Sequence, residues 1–531
     1  MGFSNPDKVR LYGYNVPVLR EGNIELIPDD MQEIPLWRKQ NGGLLFYSCG
    51  TVKWTRKSAT SLDYNHFNNP YSTHVYYFVT DSPEGEPAKF VQQDETPYVP
   101  SEIATFAEHK VIEADEFSFI NSGRMFFEGY DYANGNKKTY SLDLPGMATG
   151  DVNLTVQFAA AGPAASSLNV SAGSKELGTM TFTALTDYIY ARVNSRTYKV
   201  QGVTGNSLPV TLTHTRTQGV SGHLDYIRAS YERKLDLSGL NALPFTPLNN
   251  TANVYAIAGA SESTRVWRVT SPETTCELKG DLSGGLYKVG VKLFAEKINQ
   301  QRYVAVNVNS SYPAPEVVGQ ISNQNLHSAT PADLVIIVPA SGKLTAQAQR
   351  LADAHAAKEG MRCLVVSADK IYNEFSSGAP DATAYRRFMK MLYDRAENED
   401  DAPKNILLFG DCIWDNRIVT SKMKGRSPED YLLCYESGNS VSHTDSYVLE
   451  EYFTLLDDGE GVRPLKEKYD IGVGRIPVTN ATDAKVVVDK LIRYINNEEV
   501  GAWKNTICIL GDDGDKNQHM DDAEDVLQST E

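Results

Sequence analysis

The chain has 531 residues, 41% of them hydrophobic, and a formal net charge of −17 spread over many acidic loops. At roughly 100–200 residues per domain, that length points to about three or four domains. The charge argues against a nucleic-acid partner, because phosphate recognition needs clustered Lys and Arg. No apolar run reaches the roughly 18 residues of a membrane helix.

The opening, MGFSNPDKVRLYGYN, lacks a basic segment followed by an apolar one, so it does not read as a signal peptide. Residues 1 to about 325 read as all-β. GLLFYSCGTVKW, THVYYFV, VNLTVQFAAA and LPVTLTHTRT alternate apolar with polar residues between short Gly/Asn/Asp/Ser turns, which is sandwich spacing. IPDDMQEIPLW reads as at most a short turn. A β-rich domain is predicted over 1–112, and a fresh strand series from Glu113 predicts sandwich domains over 113–325. AAGPAASSLNVSAGS reads as a loop-rich turn within them. A Pro-, Ser- and Asn-rich stretch at 310–330 marks the next boundary.

From Asp333 the grammar changes. LVIIVPA is a short, fully apolar strand of the parallel-sheet kind. KLTAQAQRLADAHAAKEG is an amphipathic helix ended by Gly360. RCLVVSA, the helix TAYRRFMKMLYDRA with Asp381 as N-cap, and NILLFGD follow. YDIGVGRIP, the helix DAKVVVDKLIRYINNEE and a strand in NTICILGDD complete the series. This alternation predicts a partial three-layer α/β domain with a mainly parallel sheet over 333–531. Asp411, and Asp512 with Asp513, end two of its strands, so the carboxyl edge of the sheet should carry these acids. HMDDAEDVLQSTE then starts a helical pattern and stops without a C-cap, so this end reads as a cut.

Six scattered cysteines without a CxxC pair read as mostly buried free thiols, not as a disulfide framework. In FGDCIWD, Asp411 and Asp415 share one loop. Asp411 could satisfy its own turn, ligate calcium or orient a catalytic group, with the structural role the simpler. LLDDGEG offers Asp457, Asp458 and Glu460, oxygen donors of the type Ca²⁺ takes, without EF-hand spacing; a solvated acidic turn is the plainer reading. Nothing in the spacing brings Cys412, Cys434 and His443 together, and Cys434 in YLLCYE reads as an inert buried thiol. His519 reads as a surface histidine. No P-loop, GxGxxG, GxSxG or HExxH motif occurs.

The order of segments over 333–531 carries a family resemblance. DLVIIVP comes first, then FGD-xxx-D, TDSY at Thr444–Tyr447, YDIGVGRIPV with its helix, and WKNTICILGDDGD. This resembles the first half of a gingipain-type cysteine peptidase domain, which has a caspase-like fold. IPDDMQEIPL, NPYS at Asn69–Ser72, SGRMFFEG, VWRVT and NQNLH resemble the β domains ahead of the peptidase in type IX secretion sortases of that family. In the family the phrase at 123–129 is usually a Gly-Arg followed by aromatics, a character that Gly123, Arg124, Phe126 and Phe127 keep.

The resemblance implies a surface-exposed cysteine endopeptidase at the outer membrane. It would remove the C-terminal sorting domain of type IX cargo and join the cargo to a lipopolysaccharide anchor. Its partners would be protein substrates carrying that domain and other secretion components. The family's catalytic His, in a Gly-His-Gly segment, and its Cys lie downstream of the last segment seen here, so the chain as given is expected to be inactive. The supporting acid would be Asp513, or Asp512 in the alternative register. No cofactor is required. Structural Ca²⁺ would be held around Asp411, Asp445, Asp457, Asp458 and Glu460, although Cys412 stands where gingipains have His. The second reading is a non-catalytic surface adhesin or scaffold with a degenerate peptidase domain.

Overall fold

The computed structural model describes residues 3, 5–58, 61–81, 85–95, 101–247, 253–292 and 301–529. β-sheets are the regular structure of most of residues 101–307, and a parallel sheet with helices follows, as the residue patterns predict.

A β-sandwich takes Thr105–Glu113, Ser221–Lys234, Met147–Ala161 and Arg192–Val200 in one sheet. Lys137–Asp143, Ser207–Thr215, Ser166–Ala172 and Lys175–Phe182 form the other. Alternate residues of the two sheets meet in one core, with Leu154, Val156, Phe158, Leu168, Val170, Val210 and Leu212 fully buried. Thr105–Glu113 pairs along its whole length with the strand ending at Lys234. The expected limit at 112/113 therefore falls inside a strand, one that also gives Phe106 to the core of a second β unit. The loop expected in AAGPAASSLNVSAGS holds the strand Ser166–Ala172. Its small residues conceal a strict in-out alternation that buries Ser166, Leu168, Val170 and Ala172.

A second β unit stacks two sheets around Tyr255, Ile257, Val266, Leu278, Val289 and Tyr303. The short strands Gln92–Gln93 and Glu102–Ile103 join it by parallel pairing. The first eighty residues are mostly irregular, with a three-stranded sheet around Arg10–Tyr12 and a hairpin of Val52–Arg56 with Tyr64–Asn68. Residues 313–323 then run extended and exposed to the last unit.

There, four parallel strands lie in the order Cys363–Ser367, Leu334–Val338, Asn405–Phe409, Gly472–Ile476. Helices α1 (Thr345–Glu359) and α4 (Ala481–Ile495) cover one face, and α2 (Ala368–Phe375) and α3 (Ala382–Asp394) the other. α1 ends where Gly360 turns left-handed at φ 71°, and Asp381 caps α3 by accepting Thr383 N–H at 2.8 Å. The strand expected in NTICILGDD is not in this sheet. Residues 506–513 are extended coil, and Ile507 and Leu510 are 73% and 90% exposed. A parallel strand is stable only with both faces covered. The helix that follows, α5 (Gly514–Ser529), begins with left-handed residues 515–517 and buries none of its side chains, so it covers neither face.

The units dock through phrases from the front half. Asn69 Oδ1 accepts the N–H groups of Tyr71 and Ser72, so NPYS folds into a buried turn. Among the described residues before 326, Tyr71 joins the buried core of the α/β unit. Gly123 donates its N–H to Glu436 Oε1 at 3.1 Å. Its φ is +75°, and a Cβ there would overlap the Asn439 carbonyl. Gly123→Ala is expected to cost about 3 kcal/mol or more, from left-handed strain plus a steric clash with fixed backbone. Gly173→Ala also has positive φ, but its Cβ would meet nothing within 4 Å, so only about 1–2 kcal/mol is expected. Chemical denaturation of the two variants side by side checks the difference; equal costs would contradict a tight joint at Gly123.

Candidate functional site

Parallel strands bring their carboxyl ends to one edge, where clefts of α/β sheets form. Here Asn405–Phe409 runs into Gly410–Asp411–Cys412, and Gly472–Ile476 brings Arg475 beside it. The Arg475 side chain is 9% exposed. Its guanidinium donates to Glu450 Oε1 at 2.7 Å and Oε2 at 3.0 Å, and to the carbonyls of Gly410 and Leu433 at 3.0 Å each. A planar fork suits this set, and a lysine could not reproduce it. The Arg of GRIP thus fastens together the loop after FGD, the YLLC segment and the short helix Glu450–Thr454.

Asp411 spends its groups locally. Its N–H donates to Val478 O, its carbonyl accepts Leu432 N–H at 2.9 Å, and its Oδ1 accepts Cys412 N–H at 2.9 Å. Asp415, fully buried, accepts the N–H and hydroxyl of Thr420 at 2.7 Å each. The Cys412 and Cys434 side chains are neighbours, Cys434 Sγ lying 3.7 Å from the carbonyl of Ile413, the residue next after Cys412. The interaction of the two thiols, helped by Arg475, lowers the Cys412 thiol below its usual range. The same interaction, together with burial, raises Cys434 well above it. His443 is elsewhere and exposed, 6.5 and 6.0 Å from the rings of Tyr188 and Tyr190. A Cys–His dyad is therefore not formed, and Cys434 is buried as its strand-like context predicts, yet it has a thiol partner that the sequence did not reveal. His519 is exposed beside Asp515.

With residues 506–513 off the sheet, Asp512 and Asp513 do not share a crevice with Asp411. Both are exposed, and Asp512 Oδ1 accepts Gly514 N–H at 3.1 Å.

The acids expected to hold calcium divide. Asp457 and Glu460 come together with Asp470, each offering an oxygen within 4.8 Å of the others. These are donors of the kind Ca²⁺ uses, three of the roughly 6–8 it takes. Each is also engaged in the turn: Asp470 accepts Leu456 N–H, Glu460 accepts Asp457 N–H, and Tyr393 donates to Asp457. Asp458 leaves the group to pair with Lys390 at 2.8 Å, and Asp445 is exposed. Asp411 belongs to the sheet edge instead. Asp470 was not foreseen; the only signal is its place just before GVGRIP.

The edge loops are roofed by residues 115–127. Asp115 pairs with Arg417 at 2.6 Å, Phe126 meets Trp414 edge-on at 5.6 Å, and Met125 N–H donates to Ser440 Oγ at 2.9 Å. Beneath this roof Arg124 donates to both oxygens of Glu21, at 2.7 and 2.9 Å, and to Tyr71 Oη at 2.8 Å. It lies over the Tyr435 ring at 4.4 Å.

Burial pushes Glu436 up to about 8, against the pull of the Gly123 N–H and Arg124. A carboxyl raised in the folded state holds its proton there and loses it in the unfolded chain near 4.5. Its stabilising effect is complete below pH 4.5 and is lost as pH rises towards 8. Glu436→Gln, which stays neutral, is expected to flatten that part of the stability–pH curve and to leave the variant relatively more stable at pH 8. Urea unfolding from pH 4.5 to 8.5 checks this; parallel curves for both proteins would contradict it.

Residues 327–531 match peptidase family C25. Dimeric latent PorU from Porphyromonas gingivalis superposes on 98% of this chain with a TM-score of 0.83 at 28% identity. The match takes in 50% of the PorU chain, so the present chain spans about half its length. Two other solved structures carry no argument at their scores. One is the CBM36-1 domain of a xylanase from the hindgut metagenome of Trinervitermes trinervoides (13% identity, 23% of this chain, 96% of that, TM-score 0.17). The other is the C-terminal CBM6 of a laminarinase from Zobellia galactanivorans (15% identity, 23% of this chain, 98% of that, TM-score 0.16). No curated protein matches the chain. Residues 327–531 match the model of peptidase family C25, and the chain has the fold of PorU over 98% of its length.

Proposed function

We propose that this chain is the front part of a surface cysteine endopeptidase that removes the C-terminal sorting domain from type IX secretion cargo. In this proposal the same site passes the shortened cargo to an anionic lipopolysaccharide at the outer membrane, alongside other secretion components. What supports it most is the likeness to PorU, which extends through the β units as well as the peptidase region. Among the described residues no helix is long and apolar enough to cross a membrane.

Chemically, a thiolate would attack the scissile carbonyl, and an amine or water would take the acyl group from sulfur. Among the described residues no hydrogen bond joins a cysteine to a histidine; Cys412 neighbours Cys434, and His443 faces tyrosines. In this reading nucleophile and base lie in the other half of a PorU-length protein. The part played by this chain is positional. Arg475 fixes the loops at the sheet edge, and the β units hold the roof over them through Gly123 and Arg124.

A strain lacking the gene is expected to accumulate cargo that keeps its C-terminal domain, and restoring the gene should remove it. Normal processing without the gene would contradict the proposal. The 531-residue chain alone is expected to cleave such cargo no faster than buffer does. Thiol-dependent cleavage abolished by Cys412→Ala would instead put the nucleophile inside this chain.

A further inference from the structure

We infer that Cys412 and Cys434 form a peroxide-sensitive dithiol that closes to a disulfide and locks the carboxyl edge of the sheet. The inference rests on how the two sulfurs are held. Leu432 N–H donates to Asp411 O at 2.9 Å, and Cys434 N–H donates to Asn416 Oδ1 at 3.3 Å. Arg475 grips the carbonyls of Gly410 and Leu433 with one guanidinium. The segments carrying the two cysteines therefore lie side by side, and Cys434 Sγ sits 3.7 Å from the carbonyl of Ile413, the residue next after Cys412. A disulfide needs neighbours of this kind, with Cα atoms roughly 4.4–6.8 Å apart.

The two thiols differ in access. Cys412 is half-buried and open to a small oxidant, whereas Cys434 is fully buried, its Sγ against the Ile413 carbonyl at 3.7 Å. The Arg475 guanidinium beside both favours a thiolate. None of the other four cysteines has a cysteine partner among its described contacts.

The Cys412 thiolate attacks one oxygen of hydrogen peroxide, breaking the O–O bond to give Cys412 sulfenic acid and hydroxide. Cys434 sulfur then attacks Cys412 sulfur and expels the second hydroxide, forming the S–S bond. The two thiol protons leave with the hydroxides as two waters, and the two sulfurs supply the two electrons that reduce the peroxide. The bond ties the loop after Phe409 to the segment bearing Glu436, which holds Gly123. Oxidation at the edge would thereby stiffen the joint with the β units.

The test treats the folded chain with a small excess of hydrogen peroxide, alkylates it in denaturant, and maps the peptides without reduction. The expected product is a Cys412–Cys434 linked peptide, reversed by dithiothreitol, with four thiols left to alkylate in place of six. In Cys434→Ala, Cys412 is expected to stop at sulfenic acid, captured by dimedone. Recovery of both cysteines alkylated after peroxide, or of Cys412 sulfinic acid without the linked peptide in the unsubstituted chain, would overturn the inference. The unsubstituted chain decides the matter even if the variant does not fold.

Discussion

A guanidinium taken out of water needs its charge met, and Arg124, 90% withdrawn, has its charge and both terminal nitrogens met from two separate stretches of chain, while its Nε has no partner. Glu21 supplies both carboxylate oxygens and Tyr71 a hydroxyl, and the Ser437 carbonyl takes the main-chain N–H of Arg124. Tyr71 in turn donates to Glu21 at 2.7 Å. The backbone of Glu21 is itself gripped from the α/β unit, by Arg386 at 2.7 Å and Tyr452 at 3.1 Å. Removing Glu21 would leave the buried Arg124 charge without its carboxylate, so this pair ties the first residues to the segment that joins the sandwich to the α/β unit. Their hydrophobic cores are otherwise almost separate.

Arg475 repeats the device at the edge of the sheet. One planar cation bonds to two loops and to the short helix Glu450–Thr454. Such loops are usually mobile, and a peptidase edge needs them fixed, because misplacement of reacting groups by about 1 Å can cost about 100-fold in rate. The two arginines act on the same short segment of chain. Arg124 stacks on Tyr435, and Arg475 holds the carbonyl of Leu433 two residues before it. The roof and the edge are therefore one mechanical piece. The thiol pair Cys412–Cys434 sits inside that piece, which is why a bond between its sulfurs would act on the joint.

What the sequence made legible was local. Four apolar strands, the Gly360 stop and the Asp381 cap each depend on a few neighbouring residues, and all stand where the pattern places them. The likeness of Gly123–Arg124 and Asn69–Ser72 to family phrases was visible too, but not their task, since Arg124 and Glu21 are 103 positions apart. NTICILG reads as a strand by composition, yet a strand needs cover on both faces, a property of other segments. Shorter separations, across irregular loops, hid Asp470 beside Asp457 and Glu460, and Cys434 beside Cys412. Ser166–Ala172 was missed for the opposite reason: serine and alanine carry the right alternation with little apolar signal.

A double-mutant cycle on Glu21→Gln and Arg124→Met, read by equilibrium urea unfolding, tests the dependence of the whole on that buried pair. Each single substitution should cost about 3–5 kcal/mol, since each leaves a buried group without its partner. The double variant should cost less than the sum by about 2 kcal/mol or more. Single costs below about 1 kcal/mol, or effects that add within about 0.5 kcal/mol, would contradict the account.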